Sequence, residues 1–310
     1  MTQTPDLPRA AVLVLSYRTS AIVSDLLVSL SRTPSSERLV VSVVDNSVDD
    51  VEFDELMSRV APFQGRFAQL RVTRSPSNGG YATGNNLAFR AVADEVFDWV
   101  FVINPDVTVD AGDLLDTVAD LDVNRPDVYG FRTLQHGELQ SGLARMSLWT
   151  GRTSWILHGE EPPSKSHSIV YAAGHCFATS RRTWEQVGGL HEDFFLYCEE
   201  AEYALAVELL GGRSLVLEGL SVCHASGIST GSQQGKSALT AYNATRSAAV
   251  LLRLHRRLAY HLPVLVVVRS AWAATYAVRG RGSIARAILR GLISGTAGRL
   301  GLRSGMGSPS

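Results

Sequence analysis

Cysteine is scarce in this chain of 310 residues, and no acidic residue follows Glu218. The three cysteines, Cys176, Cys198 and Cys223, show no Cys-x-x-Cys spacing, so neither a structural zinc site nor a disulfide framework is expected. The N-terminus begins with polar residues, and the first apolar run, residues 10–15, is shorter than the hydrophobic region of a signal peptide. These absences favour a reducing compartment, and we expect a cytoplasmic protein.

The missing acids make the C-terminal part of the chain strongly basic. After Glu218 there are eleven arginines and one lysine, a local charge of +12, whereas residues 1–218 carry −13. A basic segment suits either nucleic acid or an anionic membrane surface. Because the intervening residues are aliphatic, we expect no nucleic acid and favour peripheral contact with the inner face of the cell membrane. Homo-oligomer formation through the same helices stays open.

The composition, 45% hydrophobic and 19% charged, is typical of a globular protein. Its first half alternates aliphatic, β-branched runs with stretches of helical spacing. Strands are predicted at residues 10–16, 39–45, 69–73 and 98–103, and a helix at 82–92. Continuous apolar strands separated by helices are typical of a parallel sheet covered on both faces. The predicted fold class is therefore α/β, with a mostly parallel sheet flanked by helices.

The second half is less regular. A long segment without regular periodicity, residues 135–168, resembles a lid or substrate-binding loop, and residues 226–235, rich in Gly, Ser and Gln, resemble a mobile loop over the site. Strands are predicted at residues 169–178, near 215 and at 221–224, and helices at 181–187 and 199–210, the last ended by Gly211 and Gly212.

From residue 237 onward the chain is predicted to be mostly helical. Residues 262–278 are nearly apolar but contain Arg269 and fall short of the roughly 20 residues of a spanning helix. We therefore expect an interfacial or packed helix. Further on, the apolar side chains of a basic amphipathic helix share one face; these are Ile284, Ile288, Leu289 and Leu292.

Ligands of open α/β sheets bind beyond the carboxyl ends of the strands, so the polar residues there are candidates for a site. Asp45 ends the second strand and is suited either to a nucleoside hydroxyl or base N–H, or to an Asx-turn. Asp106 follows the fourth strand in Asn-Pro-Asp-Val. A carboxylate there is either a hard ligand for Mg²⁺ or Mn²⁺ on a diphosphate, or an ordinary turn residue.

Carboxylates also cluster at the start of the predicted helix 199–210. Glu199, Glu200 and Glu202 follow an aromatic run. The helix dipole alone favours acids in a first turn, but clustered carboxylates beside an apolar wall raise one another's proton affinity and can form a general base. His224 ends a short strand and is either a ligand of the cation or diphosphate, or a polar core residue.

Together these residues resemble family 2 glycosyltransferases, specifically the bacterial branch with rhamnosyltransferase-like and galactofuranosyltransferase-like enzymes. The resemblance covers nearly the whole chain, and its two most specific motifs are residues 78–86 (NGGYATGNN) and 194–202 (FFLYCEEAE). Weaker motifs are residues 14–17 (VLSY), 44–47 (VDNS), 104–107 (NPDV), 173–178 (AGHCFA), 188–190 (GGL), 223–224 (CH) and 242–246 (YNATR).

The resemblance implies a GT-A fold, in which a Rossmann-like sheet carries the catalytic domain. It divides the chain into a catalytic domain, 1–235, with a nucleotide-binding half, 1–127, an acceptor and catalytic half, 128–235, and a basic amphipathic helical region, 236–310. It identifies Asp106 as the metal-binding aspartate, with His224 as its candidate partner. The expected nucleotide-sugar-binding residues are Ser16, Tyr17, Asp45, Asn78, Gly79, Gly80, Asn85, Asn104 and Gly174.

The resemblance also identifies the catalytic base as Glu200, with Glu199 as second choice. Here the chain departs from the family, which usually has aspartate at the position of Glu200 and again at that of Glu202. Glutamate carries the carboxylate outward by one methylene, about 1.5 Å. Asn104 replaces the first acid of the metal-binding motif, a form common in this branch.

The expected function is inverting transfer of a sugar from a nucleoside diphosphate to an acceptor hydroxyl, with Mg²⁺ or Mn²⁺ as cofactor. By resemblance the donor is a dTDP-deoxysugar such as dTDP-rhamnose, or else a UDP-sugar, and the acceptor is a glycan, a lipid-linked sugar or a small molecule. One rival is a nucleotidyltransferase, but the basic triphosphate loop this needs is reduced to Arg18. The other is a nucleotide-sugar-binding protein that has lost catalysis.

Overall fold

A single sheet of eleven strands forms the centre of the protein in the computed structural model, which describes residues 8–109, 112–160, 167–225 and 237–301. The strands are β1 Ala10–Ser16, β2 Leu39–Asp45, β3 Gln69–Arg74, β4 Trp99–Ile103, β5 Val107–Val109, β6 Val128–Gln135, β7 Glu138–Ser147, β8 Thr153–Leu157, β9 Ser168–Ala172, β10 Cys176–Ser180 and β11 Ser214–His224. The helices are α1 Ser20–Ser31, α2 Asp50–Val60, α3 Gly80–Ala91, α4 Arg181–Val187, α5 Glu199–Leu209, α6 Ala238–Leu254, α7 Leu262–Val278 and α8 Gly282–Ala297.

The order of strands along the sheet is β3-β2-β1-β4-β10-β6-β11-β5, and the first four are parallel. Every residue of β2 and β4 is buried, as expected for β-branched strands covered on both faces. The βα alternation predicted for the first half is confirmed. Parallel pairing brings the carboxyl ends of β1 to β4 to one edge of the sheet, and the site lies there.

The prediction of a long loop at residues 135–168 is wrong for residues 135–157, and residues 161–166 lie outside the described residues. β6 turns directly into β7, and β8 pairs with β7 in an antiparallel ribbon. The turn is made by His136 and Gly137, whose φ angles are 50° and 81°. Two consecutive residues of positive φ form the kind of turn that matches the twist of a hairpin. Six of the ten residues of β7 are polar or glycine, so the burial of this strand comes from pairing and not from apolar periodicity.

Two further strand predictions need correction. The predicted strand 169–178 is divided into β9 and β10 by a turn, in which the Cys176 N–H donates to the Ala173 carbonyl. The strands predicted near 215 and at 221–224 are one strand, β11, whose register shifts between Leu217 and Ser221. The loop predicted at residues 226–235 lies outside the described residues.

The C-terminal helices pack onto the sheet-containing part of the chain. Residues 248–252 of α6 share a hydrophobic core with α5, β7 and β9. The apolar face of α8 is covered inside the protein: Ile284, Ile288 and Leu292 are buried, and Gly291 lies against the backbone of α6. Leu289 is 45% exposed, so its predicted place on the apolar face is wrong.

The apolar helix α7 is mostly exposed. Only Leu265, Arg269 and Ala273 are buried along it. A 3₁₀ turn extends the helical segment back to Arg256, which gives 23 residues, long and apolar enough to cross a membrane by length and composition. The segment is therefore longer than the sequence pattern indicated. Its interfacial location stays a prediction.

Candidate active site

The carboxyl ends of β1 and β2 bring Ser16 and Asp45 side by side, as neighbouring residues of the parallel register. The Ser16 carbonyl accepts from the Asn46 N–H at 2.8 Å. Both Asp45 carboxylate oxygens accept from Ser47, at 3.0 Å from its N–H and 2.9 Å from its hydroxyl. These contacts form an Asx-turn, one of the two interpretations of Asp45 that the sequence allowed. Tyr17 is 38% exposed beside it, and nucleoside binding at this edge stays a prediction.

Asn78 connects this edge to the first turn of α3. Its Oδ1 accepts from Asn46 Nδ2 at 2.9 Å and from the Gly80 N–H at 3.1 Å. The Gly79 N–H donates to the Ser77 carbonyl at 2.9 Å. The backbone amides of Gly79 and Gly80 thus form a turn, and the side chains of Asn46 and Asn78, which follow β2 and β3, stabilise it.

Gly80 brings the turn at the start of α3 into contact with the segment that precedes α5. Its φ is +81°, and a Cβ there would collide with the Phe195 carbonyl, which accepts from the Tyr81 N–H at 2.8 Å. Only glycine adopts this conformation at no steric cost. In the next turn of α3, Asn85 is 1% exposed and donates to the Tyr81 carbonyl, so its side chain is used within the helix.

A pocket of about 300 Å³ opens beside these strand ends. It brings together five of the predicted residues, namely Asn104, Gly174, Glu199, Glu200 and His224. Its lining also includes Tyr81, Trp155, Tyr171 and His175. Residues more than 100 positions apart in the chain therefore meet in one cavity.

Glu200 lies directly over Gly174. A Cβ on Gly174 would occupy the position of the Glu200 Oε1 atom, so glycine is required for the carboxylate to lie there. The carbonyl of Gly174 accepts from the Tyr81 hydroxyl. Burial raises the pKa of Glu200 to about 7, which is near the value that suits a general base at neutral pH.

Glu199 is the more enclosed of the two carboxylates. It is 2% exposed, and its Oε2 has no hydrogen-bond partner among the described residues. Burial and the charge of Glu200 raise the pKa of Glu199 well above its usual range. Because two adjacent buried carboxylates do not readily ionise together, the pair holds a proton more strongly than an isolated carboxylate does.

The backbone just before these carboxylates is strained. Tyr197 and Cys198 have φ values of 72° and 71°, a left-handed conformation that is rare for side chains of this size. Strain of this kind persists where the surrounding structure over-determines it and clusters at functional sites. The two residues turn the chain sharply, so that α5 begins at the pocket.

Glu202, unlike Glu199 and Glu200, does not line the pocket. It is 4% exposed, and its Oε1 lies 3.3 Å from Nε2 of His255, which caps α6. This contact attaches α5 to the C-terminal helices. A role in holding the two parts of the chain together accounts for Glu202 at this position.

Asp106 contacts His224, which lines the pocket. The His224 Nε2 atom lies 3.4 Å from Asp106 Oδ1, because β11 pairs with β5 and His224 faces Val107 in the register. Burial raises the pKa of the Tyr81 phenol, and the charges of Glu200, Glu199 and Asp106 raise it further. Asp106 and Glu200 are therefore within electrostatic reach of the same hydroxyl.

His175 stacks on His224, with ring centroids 4.4 Å apart and an interplanar angle of 10°. The Thr133 hydroxyl donates to the Phe131 carbonyl at 2.8 Å, and the same oxygen lies 2.7 Å from His175 Nε2. That nitrogen must therefore carry the proton. Burial and the nearby His224 lower the pKa of His175 well below its usual range, so a neutral ring supports His224.

Within the described residues no group of three or more His, Cys, Asp or Glu side chains forms a metal cage. Asp106 and His224 nevertheless suit Mg²⁺ or Mn²⁺, because such cations are commonly bound by one or two protein ligands together with substrate phosphates. Asp106 Oδ1 and His224 Nδ1 are buried and have no hydrogen-bond partner in the described chain. The donor set fits a cation that a bound diphosphate completes.

Sequence reasoning missed three contributors to the site. Tyr81 and His175 line the pocket, and Asn86 clamps the turn after α4 by exchanging hydrogen bonds with the Leu190 backbone at 2.8 and 2.9 Å. All three lie inside the motifs that carry the family resemblance. Their position in those motifs was the available signal, since no periodicity distinguishes them.

Comparison with known proteins now decides the family. The profile "Glycosyltransferase like family 2" matches residues 8–260. The chain belongs to this family. It is 29% identical over 136 residues to the low-salt glycan biosynthesis hexosyltransferase Agl10 of Haloferax volcanii, covering 42% of this chain and 43% of that protein.

A second relative is the N-acetylglucosaminyl-diphospho-decaprenol L-rhamnosyltransferase of Mycobacterium tuberculosis. It is 25% identical over 192 residues, 54% of this chain and 62% of the relative. The chain thus spans about half the length of these curated relatives. A mannosyltransferase of Pyrobaculum calidifontis, solved with GDP-Man and Mn²⁺, superposes with a TM-score of 0.56 at 13% identity over 94% of this chain and 87% of its own, which confirms the GT-A fold.

Proposed function

We propose that this chain is an inverting glycosyltransferase that moves a sugar, a deoxysugar such as rhamnose above all, from a nucleoside diphosphate to an acceptor hydroxyl. The observation that carries the proposal is the position of Glu200 over Gly174, in a pocket that also contains Asn104 and His224. A carboxylate of near-neutral pKa thus shares one cavity with a candidate diphosphate site.

In the proposed reaction Glu200 accepts the proton of the acceptor hydroxyl. The hydroxyl oxygen attacks the anomeric carbon from the face opposite the diphosphate, so that the new C–O bond forms as the bond to the diphosphate breaks. Tyr81 fixes the Gly174 carbonyl through its hydroxyl and so helps to position the base. Glu199, whose own pKa is raised by burial and by the charge of Glu200, lies beside the base and is the second candidate for that role.

Asp106 and His224 would hold the divalent cation. When bound, the cation neutralises the charge that develops on the departing diphosphate. The neutral ring of His175, stacked at 4.4 Å, keeps His224 in position. Ser16, Tyr17, Asp45 and the turn around Asn78 would bind the nucleoside end, in the nucleotide-binding half, residues 1–127.

The choice of donor and acceptor is supported by the relatives alone. The mycobacterial relative is named for an L-rhamnosyl donor and an acceptor whose N-acetylglucosamine is attached to a lipid diphosphate. We extend both to this chain, with a UDP-sugar donor as the second choice. The helical region 236–310 would then keep a cytoplasmic enzyme at the inner face of the membrane, where such acceptors are found.

The test is an assay of the full chain with Mn²⁺ and a panel of dTDP-rhamnose, UDP-sugars and GDP-mannose, using N-acetylglucosaminyl diphospholipid as acceptor. We expect transfer from one donor, with inversion at the anomeric carbon in the NMR spectrum of the product. Retention of configuration would contradict the mechanism. If the chain binds a donor but neither transfers the sugar nor slowly hydrolyses the donor, the result would favour the binding protein. Release of pyrophosphate from a nucleoside triphosphate would favour the nucleotidyltransferase.

A further inference from the structure

A row of arginine and aromatic side chains runs along α7, outside the catalytic pocket. Arg269, Trp272, Tyr276 and Arg279 are spaced by three, four and three residues and therefore share one face of the helix. Arg152, from the connection between β7 and β8, lies over the Trp272 ring with its Cζ 5.9 Å from the centroid, and Arg269 lies 4.8 Å from the same ring.

Arg269 is buried, and no carboxylate pairs with it in the described part of the chain. It is 4% exposed and donates to the Gly151 carbonyl at 3.0 Å and to the Thr245 hydroxyl at 3.4 Å, while its Nε has no partner among the described residues. A buried charge that no counter-ion compensates is strongly destabilising. The acceptors it has are neutral, so an anion is the missing component.

A second cavity, of about 270 Å³, is lined by Arg269, Arg152 and Trp272. It shares Thr153, Tyr197 and Cys198 with the catalytic pocket. On its other side it shares Arg152 and Trp272 with a third cavity of about 230 Å³, which reaches Tyr276 and Arg279. The three cavities therefore lie next to one another, in a row from Glu200 to the exposed end of α7.

We infer that the arginine groove, formed by Arg152, Arg269, Trp272, Tyr276 and Arg279, binds the diphosphate of a lipid-linked acceptor. This inference rests on the proposed function, whose base lies at the inner end of the row. The acceptor sugar enters the catalytic pocket past Tyr197 and Cys198, the guanidinium groups hold the diphosphate, and the lipid chain leaves along α7.

Charge and polarity favour this occupant over others. Arginine presents several N–H donors to phosphate oxygens, and the chain has no acid after Glu218 to compete for these side chains from the C-terminal helices. On another face the same helix exposes Val264, Val267 and Val278, at 37%, 67% and 90%, which suits contact of α7 with the apolar part of a membrane. The groove is distinct from the predicted donor diphosphate site at Asp106, so the enzyme has separate sites for two diphosphates.

The experiment measures binding of farnesyl diphosphate to the full chain by calorimetry, in the presence of saturating nucleoside diphosphate and Mn²⁺. We expect binding to persist when the donor site is occupied, and to weaken by about tenfold or more in Arg152→Gln and in Arg269→Gln. Arg290→Gln is the matched control, because Arg290 is exposed on α8; it should bind as the wild type does.

Since Arg269 is buried and its replacement can impair folding, the exposed Arg152 decides the outcome. Equal binding by wild type and Arg152→Gln would overturn the inference, as would complete displacement by nucleoside diphosphate. Farnesol binding as tightly as farnesyl diphosphate would show an apolar surface without a phosphate site. Inorganic diphosphate binding as tightly would overturn the assignment to a lipid-linked ligand. Failure of the proposed function appears separately, as absence of transfer from every donor while farnesyl diphosphate still binds.

Discussion

The candidate site has two regions: the nucleoside edge, around Asp45 and Asn78, and the carboxylate pocket, which contains Glu199 and Glu200. The two regions differ in how their polar atoms are used. At the nucleoside edge, both oxygens of Asp45 accept from Ser47, and Asn78 accepts from two neighbours. In the pocket, Glu199 Oε2 and His224 Nδ1 are buried without a hydrogen-bond partner in the described chain, as is Asp106 Oδ1 beside it. At the nucleoside edge the described chain leaves one such atom, Asn46 Oδ1. Since buried polar atoms are normally satisfied, we infer that most polar groups of the first region maintain the fold, whereas those of the second are available to bound molecules.

If this comparison is right, the largest effect comes from the base. Glu200→Gln keeps the shape of the side chain but removes the proton acceptor, so we expect transfer to fall by about 10³-fold, within the usual range for general bases. Nucleoside diphosphate binding should change little. Glu138→Gln, at an exposed position of β7, is the control, and an active Glu200→Gln enzyme would exclude this base.

A smaller effect is expected from Gly174→Ala. The added methyl group occupies the position of Glu200 Oε1 and displaces the carboxylate, which we expect to lower kcat by about 100-fold. Gly219→Ala is the control, because a Cβ there meets only Thr117, at 3.7 Å. Thermal unfolding of both variants separates loss of position from loss of fold; unchanged kcat in Gly174→Ala would contradict the placement of Glu200.

The pH dependence gives the next effect. Burial raises the pKa of Glu200 to about 7, and the base acts only when ionised, so kcat/KM should fall by about tenfold for each pH unit below 7. Donor affinity is measured over the same range to isolate this step. A rate that stays level down to pH 5 would mean that the base titrates like an exposed glutamate.

The smallest effect is expected at the nucleoside edge. Asp45→Asn weakens the two hydrogen bonds with Ser47, and we expect a loss of about 1 kcal/mol in the free energy of unfolding. The donor KM should rise by a few-fold while kcat changes little, because the residue is remote from the reacting bond. A loss of kcat like that of Glu200→Gln would remove the distinction between the two regions.

The strand ends could be predicted from the sequence because they depend on local pattern. The aliphatic runs of β1, β2 and β4 end where polar residues begin, so Ser16, Asp45 and Asp106 follow directly from the register of parallel strands. The hairpin of β6 and β7 was missed because β7 has no clean alternation. Its only local sign was the pair His136 and Gly137, which adopts positive φ.

The pocket itself depends on contacts between distant parts of the chain. Glu200 over Gly174, and Tyr81 beside Phe195, join segments that periodicity cannot bring together. The family resemblance indicated Glu200, Asp106 and His224 as site residues, but neither resemblance nor pattern indicated the buried Arg269. That its hydrogen-bond acceptors in the described chain are neutral is visible only when the neighbouring elements are assembled.

The metal dependence of nucleoside diphosphate binding is the most direct test, because we propose that Asp106 Oδ1 and His224 Nδ1, which have no hydrogen bond in the described chain, serve a cation and a diphosphate. Calorimetry with and without Mn²⁺ should show tighter binding with the metal in the wild type and in Glu200→Gln. Asp106→Asn should lose most of that gain. Full metal enhancement in Asp106→Asn, or none in the wild type, would contradict the central claim.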